Sequence, residues 1–401
     1  MNDHRRLGRE LDLFDSDPLI GAGLPYWLPA GAAVRHAIEE YVREAERLAG
    51  FQHVYSPVLG KRELYELSGH WDHYREDMFP PLPMGGEELV LRPSLCPHHA
   101  LIYRARQRSH RELPVRIAEI GAMFREEASG VLGGLTRVRA IQLNDAHVFC
   151  RPDQVADEVA GTLDMIDRAY ADLGIRAHRY RLSLRGASAK YVDDADMWDA
   201  SERVLAGVLA ERGIAHDAEA GEGAFYGPKI DVQIIDPLGR ESTLSTVQVD
   251  LHQPARFDLR YRAADQSAAR PVLVHRSIVG SMERLVAHLI EVHAGAFPGW
   301  LAPVQAAVLP VADDQLPPAD ALARGLLAAG LRAELAAPDR GTLGARVRQH
   351  RLVPVQAVIG EREAADGTVS LRLRDGRRVG PLPVADAVGR INEAVAVFRA
   401  A

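Results

Sequence analysis

Apolar positions recur along the chain with two different spacings. Residues 31–49 carry apolar side chains at helical intervals and Gly50 follows them, which predicts an amphipathic helix that ends at this glycine. Residues 153–173 repeat the pattern. We therefore predict a second helix there, with Asp153 as its N-cap and Gly174 as its C-terminal stop.

Apolar and β-branched segments of strand length lie between and beyond these helices. Turn-rich or glycine-rich stretches join several of them, which favours an antiparallel sheet. A further strand is predicted at residues 51–59, and helical spacing returns over 277–295. The clustered strand segments are 115–125, 137–149, 228–236, 241–251 and 271–276.

The pattern changes near residues 297–305, where proline and glycine mark a join. Beyond it strands and helices alternate, followed by a hairpin around 374–378 and a last helix over 385–400. A chain of 401 residues is longer than a single hydrophobic core usually supports. We therefore predict two domains, residues 1–301 with the antiparallel sheet and residues 302–401 as a small α/β domain.

Composition and charge narrow the class of protein only moderately. The chain is 47% hydrophobic and 26% charged, as in ordinary globular proteins. No apolar run approaches the ~18–20 residues that span a bilayer, and the first ten residues lack the apolar region of a secretory signal. We expect a cytoplasmic protein without a membrane segment. A net charge of −7 does not itself indicate a nucleic-acid partner, although residues 104–116 are locally basic.

Only two cysteines are present, Cys96 and Cys150. Cys96 stands in "RPSLCPHHA", and His98 and His99 follow it. One disulfide is the most that two cysteines allow, and in a cytosolic chain a free thiol or a metal ligand is the better expectation. The residues alone favour a buried thiol and leave the metal ligand open.

Two stretches carry arginine in places that suit phosphate binding. Residues 124–145 form two strand-like arms around a glycine-containing loop, with Arg125 and Arg137 at its ends. Residues 274–291 run from a strand into a helix that carries Arg284 in its first turns, where a helix N-terminus also favours anions. A plain hairpin and ordinary surface charges remain open as alternatives.

These motifs resemble a known family. "FREE" with "SGVLGGLTRVR" resembles motif 2 of class II aminoacyl-tRNA synthetases, "GSMER" resembles motif 3, and Pro57 in "YSPVL" fits motif 1. The resemblance covers almost the whole chain. Within this class, the chain resembles the threonyl-tRNA synthetases most specifically. This resemblance implies an antiparallel sheet flanked by helices and a C-terminal anticodon-binding domain with a mixed sheet. The stretches that carry it are "GLPYWLPAGAAVR", "SGHWDHY", "RELPVRIAEIGAMFR", "GLTRVR", "DAHVFC", "GEGAFYGPKIDVQI" and "VHRSIVGSMERL".

The resemblance also implies a catalytic Zn²⁺. Its ligands would be Cys96, His147 and His275, and three protein ligands leave one metal position open for substrate. His98 and His99 are not expected to be ligands. Threonine and valine are nearly isosteric, so a metal that takes the β-hydroxyl together with the amino group would reject valine.

Further roles follow from the same resemblance. Arg125 and Arg284 are the expected catalytic residues, acting through ATP phosphates; Mg²⁺ would accompany the ATP. The threonine carboxylate would attack the α-phosphate, and the threonyl group would then pass to tRNA. A homodimer is expected, with the helix at 31–49 in its interface. The implied substrate-binding residues are Asp145, Tyr226, Lys229 and Gln248; the ATP-binding residues are Arg125, Glu127, Arg137 and Arg284; the anticodon-binding residues are Glu363 and Arg372.

The sequence departs from the family pattern around the pocket, at Ser94, Leu95, Leu143, Thr243, Leu244 and Ser245. These departures leave alternatives to a threonine enzyme: an inhibitor-resistant copy, activation of a related β-hydroxy amino acid for a carrier or biosynthetic pathway, and a non-catalytic paralogue. The chain also reaches motif 1 almost at once, whereas bacterial members carry two N-terminal domains, one of which edits seryl-tRNA. We accordingly expect a short form that charges serine measurably.

Overall fold

The structure is a computed structural model and describes residues 3–396. Two compact units make up the chain. Among the described residues, the first comprises Ser16–Tyr26 and Glu39–His288, and the second comprises residues 3–15, Trp27–Ile38 and residues 289–396.

An eight-stranded sheet forms the centre of the first unit, in the order β5-β4-β6-β7-β8-β3-β2-β1. The predicted antiparallel arrangement is confirmed for the five central pairs of neighbours, whereas the outermost pair at each edge is parallel. The strands are β1 (Gln52–His53), β2 (Val115–Phe124), β3 (Ala140–Cys150), β4 (Arg179–Leu184), β5 (His216–Ala220), β6 (Lys229–Ile235), β7 (Glu241–Asp250) and β8 (Val272–Ser277).

Helices and short elements surround this sheet. Strands Leu59–Lys61, Leu82–Met84 and Glu87–Leu91 form a small separate sheet, and Tyr261–Arg262 pairs with Ala268–Ala269. The helices of this unit are α2 (Cys96–Arg104), α3 (Val155–Leu173) and α4 (Ala195–Glu211), and shorter ones span Arg62–Leu67, His70–His73 and His252–Arg256. Two further helices, α1 (Pro29–Leu48) and α5 (Met282–His293), each contribute residues to both units.

The helix predictions are confirmed in extent but not in every cap. α1 covers the predicted residues 31–49 to within two residues, and Gly50 follows with a left-handed φ of 81°. Gly174 ends α3 with a φ of 67°. Asp153 is not the N-cap of α3, since Gln154 occupies that position. The reason is local: Asp153 lies in a 3₁₀ turn, where its carboxylate accepts a hydrogen bond from Arg151 Nε at 3.0 Å.

The strand predicted over residues 51–59 is wrong as a single element. Only Gln52–His53 and Leu59–Lys61 are strands, and they belong to two different sheets. Pro57 lies between them and cannot donate a ladder hydrogen bond, which fits the interruption.

The second unit contains a five-stranded mixed sheet in the order β10-β9-β11-β12-β13. β9 lies parallel to both of its neighbours, while β12 is antiparallel to both of its own. The predicted alternation and hairpin are confirmed; the last helix is confirmed through residue 395, and its predicted end lies outside the described residues. The elements are β9 (Ala306–Pro310), β10 (Ala333–Leu335), β11 (Val355–Ile359), β12 (Thr368–Leu373), β13 (Arg378–Pro383), α6 (Leu316–Ala328), α7 (Leu343–Gln349), α8 (Glu361–Asp366) and α9 (Val384–Val395), with His4–Glu10 a further helix.

The core of the second unit lies between this sheet and its helices. Val308 on β9 and Ile359 on β11 pack with Leu322 on α6 and Ile391 on α9. Among residues 3–396, no helix has the length and apolar character needed to cross a membrane.

Candidate active site

Strand register places four polar side chains in one row across the large sheet. His147 on β3 is paired directly with His275 on β8, His275 with Gln248 on β7, and Gln248 with Lys229 on β6. Directly paired residues point to the same face of a sheet, so all four share one face. Asp145, two residues before His147, points to the same face. Residues distant in sequence are thus neighbours because of register alone.

Cys96 completes a group of three possible metal ligands. α2 begins at this residue, and Pro97 occupies its first turn, where a missing N–H is tolerated. The sulfur of Cys96 and one ring nitrogen each of His147 and His275 lie within 4.8 Å of one another, and all three residues are buried. Cys96 and Cys150 are both free, so the cysteines do not form a disulfide.

His147 is held from behind by His99. The two Nδ1 atoms are 2.7 Å apart, and His99 Nε2 lies 3.1 Å from Glu119 Oε2. Arg92 Nη2 donates to the other oxygen of Glu119 at 3.0 Å. Burial opposes the charge of Glu119, but hydrogen bonds from His99, Ser56 and Arg92 lower its pKa to about 2. Glu119 is therefore an ionised carboxylate that accepts a hydrogen bond from His99.

His275 is oriented in the same way by Asp250. Its Nε2 lies 2.9 Å from Asp250 Oδ2, and its ring stacks against Tyr226 with centroids 4.9 Å apart. Carboxylates behind metal-binding histidines fix both the ring orientation and the tautomer.

These partners determine where the ring protons lie. Since Glu119 accepts from His99 Nε2, a neutral His99 offers a lone pair at Nδ1, and His147 therefore carries its proton on Nδ1. Asp250 accepts from His275 Nε2, so the remaining nitrogen of His275, Nδ1, also has a lone pair. His147 Nε2 and His275 Nδ1 nevertheless face each other at 2.9 Å. Two lone pairs at that distance repel each other, and a cation bound to both removes the repulsion.

Burial disfavours the charged forms of two further groups beside the histidines, Cys96 and Asp145. Burial raises the pKa of the Cys96 thiol to about 12, although hydrogen bonds with Ser94 and Gln253 oppose the shift. Burial also raises the pKa of Asp145 to about 8. A cation close to the two groups would favour their charged forms and so oppose both shifts. The donor set of one thiolate and two imidazoles suits Zn²⁺.

A cavity of about 260 Å³ opens over this row. A second cavity of about 430 Å³ is lined in part by the same side chains, namely Ser94, Arg125, Tyr226, Lys229 and Gln248. Of the residues predicted from the sequence, the first cavity is lined by Arg125, Asp145, Tyr226, Lys229, Gln248, His275 and Arg284.

Each of the residues predicted to bind substrate has a polar neighbour close to it. Tyr226 donates its hydroxyl proton to Gln248 Oε1 at 2.7 Å. Lys229 Nζ lies 2.9 Å from Asp231 Oδ2. Asp145 is 7% exposed, and its Oδ1 lies 3.9 Å from His147 Nε2.

Arg125 and Arg284 also line the first cavity and have no carboxylate partner among residues 3–396. Arg125 stacks over Tyr74 at 5.4 Å, and its Nε is buried without a hydrogen-bond partner there. Arg284 donates from Nη1 to the Thr243 carbonyl at 2.8 Å. Burial lowers the pKa of Arg284, and the nearby Arg125 and Arg137 lower it further. Two arginines without a carboxylate partner suit an anionic ligand.

Glu127 and Arg137 are not among the residues that line the cavity. Arg137 donates from Nε to Glu127 Oε2 at 2.8 Å, and its side chain is 52% exposed. Arg139 donates from Nε and Nη2 to the Glu127 carbonyl at 2.9 and 2.8 Å and so fastens the base of this loop.

The residues that depart from the family pattern fall into two groups, those that line the first cavity and those that do not. Ser94, Leu143, Thr243 and Leu244 line the first cavity. Leu95 and Ser245 are fully buried and do not line it. The hydroxyl of Ser245 donates to the Ile278 carbonyl at 2.7 Å.

The predicted anticodon residues lie in the second unit. Arg372 on β12 is exposed. Glu363 on α8 accepts hydrogen bonds from the Ser370 hydroxyl at 2.7 Å and from the Gly360 N–H at 3.1 Å. The bond from Ser370 is the main cause of a lowered pKa at Glu363.

Sequence reasoning did not single out Asp231, Asp250, Glu119 or Gln253. Asp231 had a weak signal, since it stands between Ile230 and Val232 in a strand and buried carboxylates are rarely unpaired. Glu119 and Asp250 had the same weak signal. Gln253 had none.

Comparisons with known proteins identify the family. The family described as "tRNA synthetase class II core domain (G, H, P, S and T)" matches residues 83–293, and the "Anticodon binding domain" matches residues 305–394. A solved structure of the RNA-binding domain of threonyl-tRNA synthetase from Cryptosporidium parvum Iowa II is 34% identical, covers 99% of both chains and has a TM-score of 0.93.

Two curated relatives give the same result. Threonine--tRNA ligase of Geobacillus kaustophilus (strain HTA426) is 48% identical over 375 residues, which are 92% of this chain and 57% of that protein. Threonine--tRNA ligase 1 of Bacillus subtilis (strain 168) is 49% identical, with 92% of this chain and 58% of that protein covered. The chain thus spans rather more than half the length of the curated relatives it matches. It belongs to the threonyl-tRNA synthetase family of class II aminoacyl-tRNA synthetases.

Proposed function

We propose that the chain activates L-threonine with ATP to threonyl-adenylate and transfers the threonyl group to a threonine tRNA, with one Zn²⁺ per chain and Mg²⁺ bound with ATP. One observation carries the proposal. Donor atoms of Cys96, His147 and His275 meet within 4.8 Å beside a cavity that is also lined by Arg125 and Arg284. The names of the curated relatives support threonine as the amino acid.

Cys96, His147 and His275 would hold the Zn²⁺. The facing lone pairs and the donor set fit this ion. When bound, it would act as a Lewis acid that takes both the amino group and the β-hydroxyl of threonine, which expands its coordination from four to five ligands. Asp250 and His99 hold the two imidazoles in the tautomers that coordination requires.

The remaining pocket residues would select and orient the amino acid. Asp145 would accept the hydrogen bond of the β-hydroxyl. Valine has no such hydroxyl and would leave this buried carboxylate unpaired, and sites of this kind reject the analogue by about 10⁴-fold or more. Tyr226, Lys229 and Gln248 would bound the same pocket, with Lys229 kept in place by Asp231.

The arginines would bind the nucleotide. Arg125, assisted by Glu127, would hold the α-phosphate, and Arg284 and Arg137 the outer phosphates. The threonine carboxylate is ionised at neutral pH and attacks without a general base. Catalysis is then positioning and stabilisation of charge on the α-phosphate. Arg137 has to leave Glu127 in order to take part.

The two matched families support a division of labour along the chain. Residues 1–301 would be the catalytic domain and residues 302–401 the anticodon-binding domain, in which Glu363 and Arg372 would contact anticodon bases.

A homodimer would use α1 and β1; β1 is the last strand at one edge of its sheet. Light scattering on the purified protein tests the dimer.

Amino-acid-dependent ATP–pyrophosphate exchange tests the proposed activity. The Zn²⁺-loaded protein is assayed with threonine, serine, valine and β-hydroxy analogues, and charging of threonine tRNA is measured in parallel. We expect threonine to give the highest exchange rate and valine almost none. Exchange that is highest with a different β-hydroxy amino acid, or exchange without charging, would contradict the proposal. The comparisons do not favour those alternatives, since the curated relatives are named as threonine enzymes.

A further inference from the structure

The sulfur of Cys96 has two close polar neighbours besides the two histidines. Ser94 Oγ lies 3.1 Å from Sγ, and Gln253 Nε2 lies 3.3 Å from it. Gln253 is fully buried. His70 Nε2 is a more distant neighbour of the sulfur, at 3.9 Å.

The position of Gln253 is coupled to that of His275. Asp250 Oδ1 accepts the backbone N–H groups of His252 and Gln253 at 2.7 and 2.9 Å, which fixes the start of the helix His252–Arg256. The other oxygen, Oδ2, accepts from His275 at 2.9 Å. A single carboxylate therefore orients one proposed metal ligand and the helix that brings Gln253 to another.

Ser94 is the second close polar neighbour of the sulfur. It lies two residues before Cys96, just ahead of α2, and lines both cavities. A metal-bound cysteine is a thiolate and has no proton to donate. Both the Ser94 hydroxyl and the Gln253 amide then have to be the donors.

Two donated hydrogen bonds change the properties of a buried thiolate. They replace the hydration that burial removes, and an anion buried without such bonds is strongly destabilised. They also withdraw negative charge from the sulfur, so the sulfur gives less charge to the metal. Partners of this kind around metal ligands typically alter metal affinity 10–100-fold.

We infer that Ser94 and Gln253 are positioning residues of the metal centre, which donate hydrogen bonds to the Cys96 thiolate and so set both the metal affinity and the charge that the sulfur shares with the metal. This inference rests on the proposed zinc site. It gives Ser94, one of the departures from the family pattern, a specific physical role.

Co²⁺ substitution tests the inference with a readout other than activity. The energy of the sulfur-to-cobalt charge-transfer band depends on the charge at the sulfur. The variants Ser94→Ala and Gln253→Leu each remove one donor, and we expect each to move this band to longer wavelength and to weaken Zn²⁺ binding about 10–100-fold in a chelator competition. Ser94→Thr keeps the hydroxyl, so this variant should retain the wild-type band.

Ser201→Ala is the matched control. Ser201 on α4 is a buried serine whose hydroxyl has no partner among the described residues, and it does not line either cavity. Its removal should leave both band and affinity unchanged. Wild-type bands in Ser94→Ala and Gln253→Leu, with cobalt bound, would overturn the inference. Absence of any sulfur-to-cobalt band in the wild-type protein would instead overturn the proposed metal site.

Discussion

The two ends of the candidate active site differ in how completely their charges are paired. At the metal end, formed by Cys96, His147 and His275, every histidine has a hydrogen-bonded partner behind it. At the phosphate end, formed by Arg125, Arg137 and Arg284, two of the three arginines have no carboxylate within the described residues.

This difference separates two ways of preparing a site for its ligand. The metal end holds its donor atoms in one arrangement that suits a single cation. The phosphate end concentrates positive charge, which disfavours the free protein and favours a bound polyanion. We therefore expect changes at the metal end to reduce both stability and activity, and changes at the phosphate end to reduce activity alone.

The largest expected effect is that of removing a metal ligand. His275→Ala deletes one donor and the ring that stacks on Tyr226. We expect Zn²⁺ to fall well below one per chain and threonine-dependent exchange to fall about 10³-fold, since metal ions contribute several kcal/mol to such steps. Elemental analysis and pyrophosphate exchange measure the two quantities. Full activity in a variant that has lost its zinc would contradict the assignment.

The next effect concerns the support of His147. The pKa of Glu119 is about 2 in the folded protein and 4.5 in the unfolded chain, so its ionised form stabilises the fold fully above about pH 4.5. That contribution, about 3 kcal/mol, is lost as the pH falls from 4.5 toward 2. Urea unfolding of the metal-free protein at several pH values should show this slope in the wild type.

Glu119→Gln provides the comparison. It leaves Arg92 buried beside a neutral amide, so its stability at pH 7 should already be lower by a few kcal/mol. Its stability should also vary much less between about pH 5 and pH 3. Equal slopes for both proteins would show that Glu119 is not a buried carboxylate.

At the phosphate end, the two outer arginines should differ. Arg284 lines the cavity, whereas Arg137 is 52% exposed and paired with Glu127. Arg284→Ala should lower exchange about 10²-fold and Arg137→Ala about tenfold, because removing a preorganised donor costs more than removing one that first has to rearrange. Circular dichroism serves as the folding control. A larger loss from Arg137→Ala would reverse the roles given to them.

The smallest expected effect is on stability, and it is an increase. Arg125→Met removes a guanidinium whose Nε is buried without a partner among residues 3–396, so the free energy of unfolding should rise by about 0.5–1 kcal/mol while exchange falls. Arg116→Met is the matched control, because Arg116 Nε donates to Glu158 at 2.8 Å. That variant should lose about 0.5–1 kcal/mol and keep its activity. A loss of stability in Arg125→Met would contradict the unpaired state of the phosphate end.

Local pattern predicted much of the fold but not its edges. Helical spacing found α1 and α3 because each has one apolar face, and glycines marked their ends. It missed α2, where six of nine residues are buried but two of these are histidines, so that burial does not follow an apolar spacing. It also missed the parallel edge pair of β4 and β5, since parallel pairing joins strands across a long crossover that leaves no local signal.

The site was predictable only in part, for a similar reason. Arg125 and Arg284 stand in local motifs whose chemistry is readable. Cys96, His147 and His275 come from three elements that register and packing bring together, and no spacing along the chain encodes that meeting. Only the family resemblance named them. The partners behind them, such as His99 and Asp250, depend on side-chain orientation and became visible in the structure alone.

The central claim is that one thiolate and two imidazoles of this chain hold a single zinc ion. X-ray absorption at the zinc edge of the wild-type protein and of Cys96→Ser tests it without reference to activity. We predict one sulfur at about 2.3 Å and nitrogen or oxygen neighbours at about 2.0–2.1 Å in the wild type, with the sulfur shell lost in Cys96→Ser. A wild-type protein that binds no zinc, or a zinc shell without sulfur, would contradict the account.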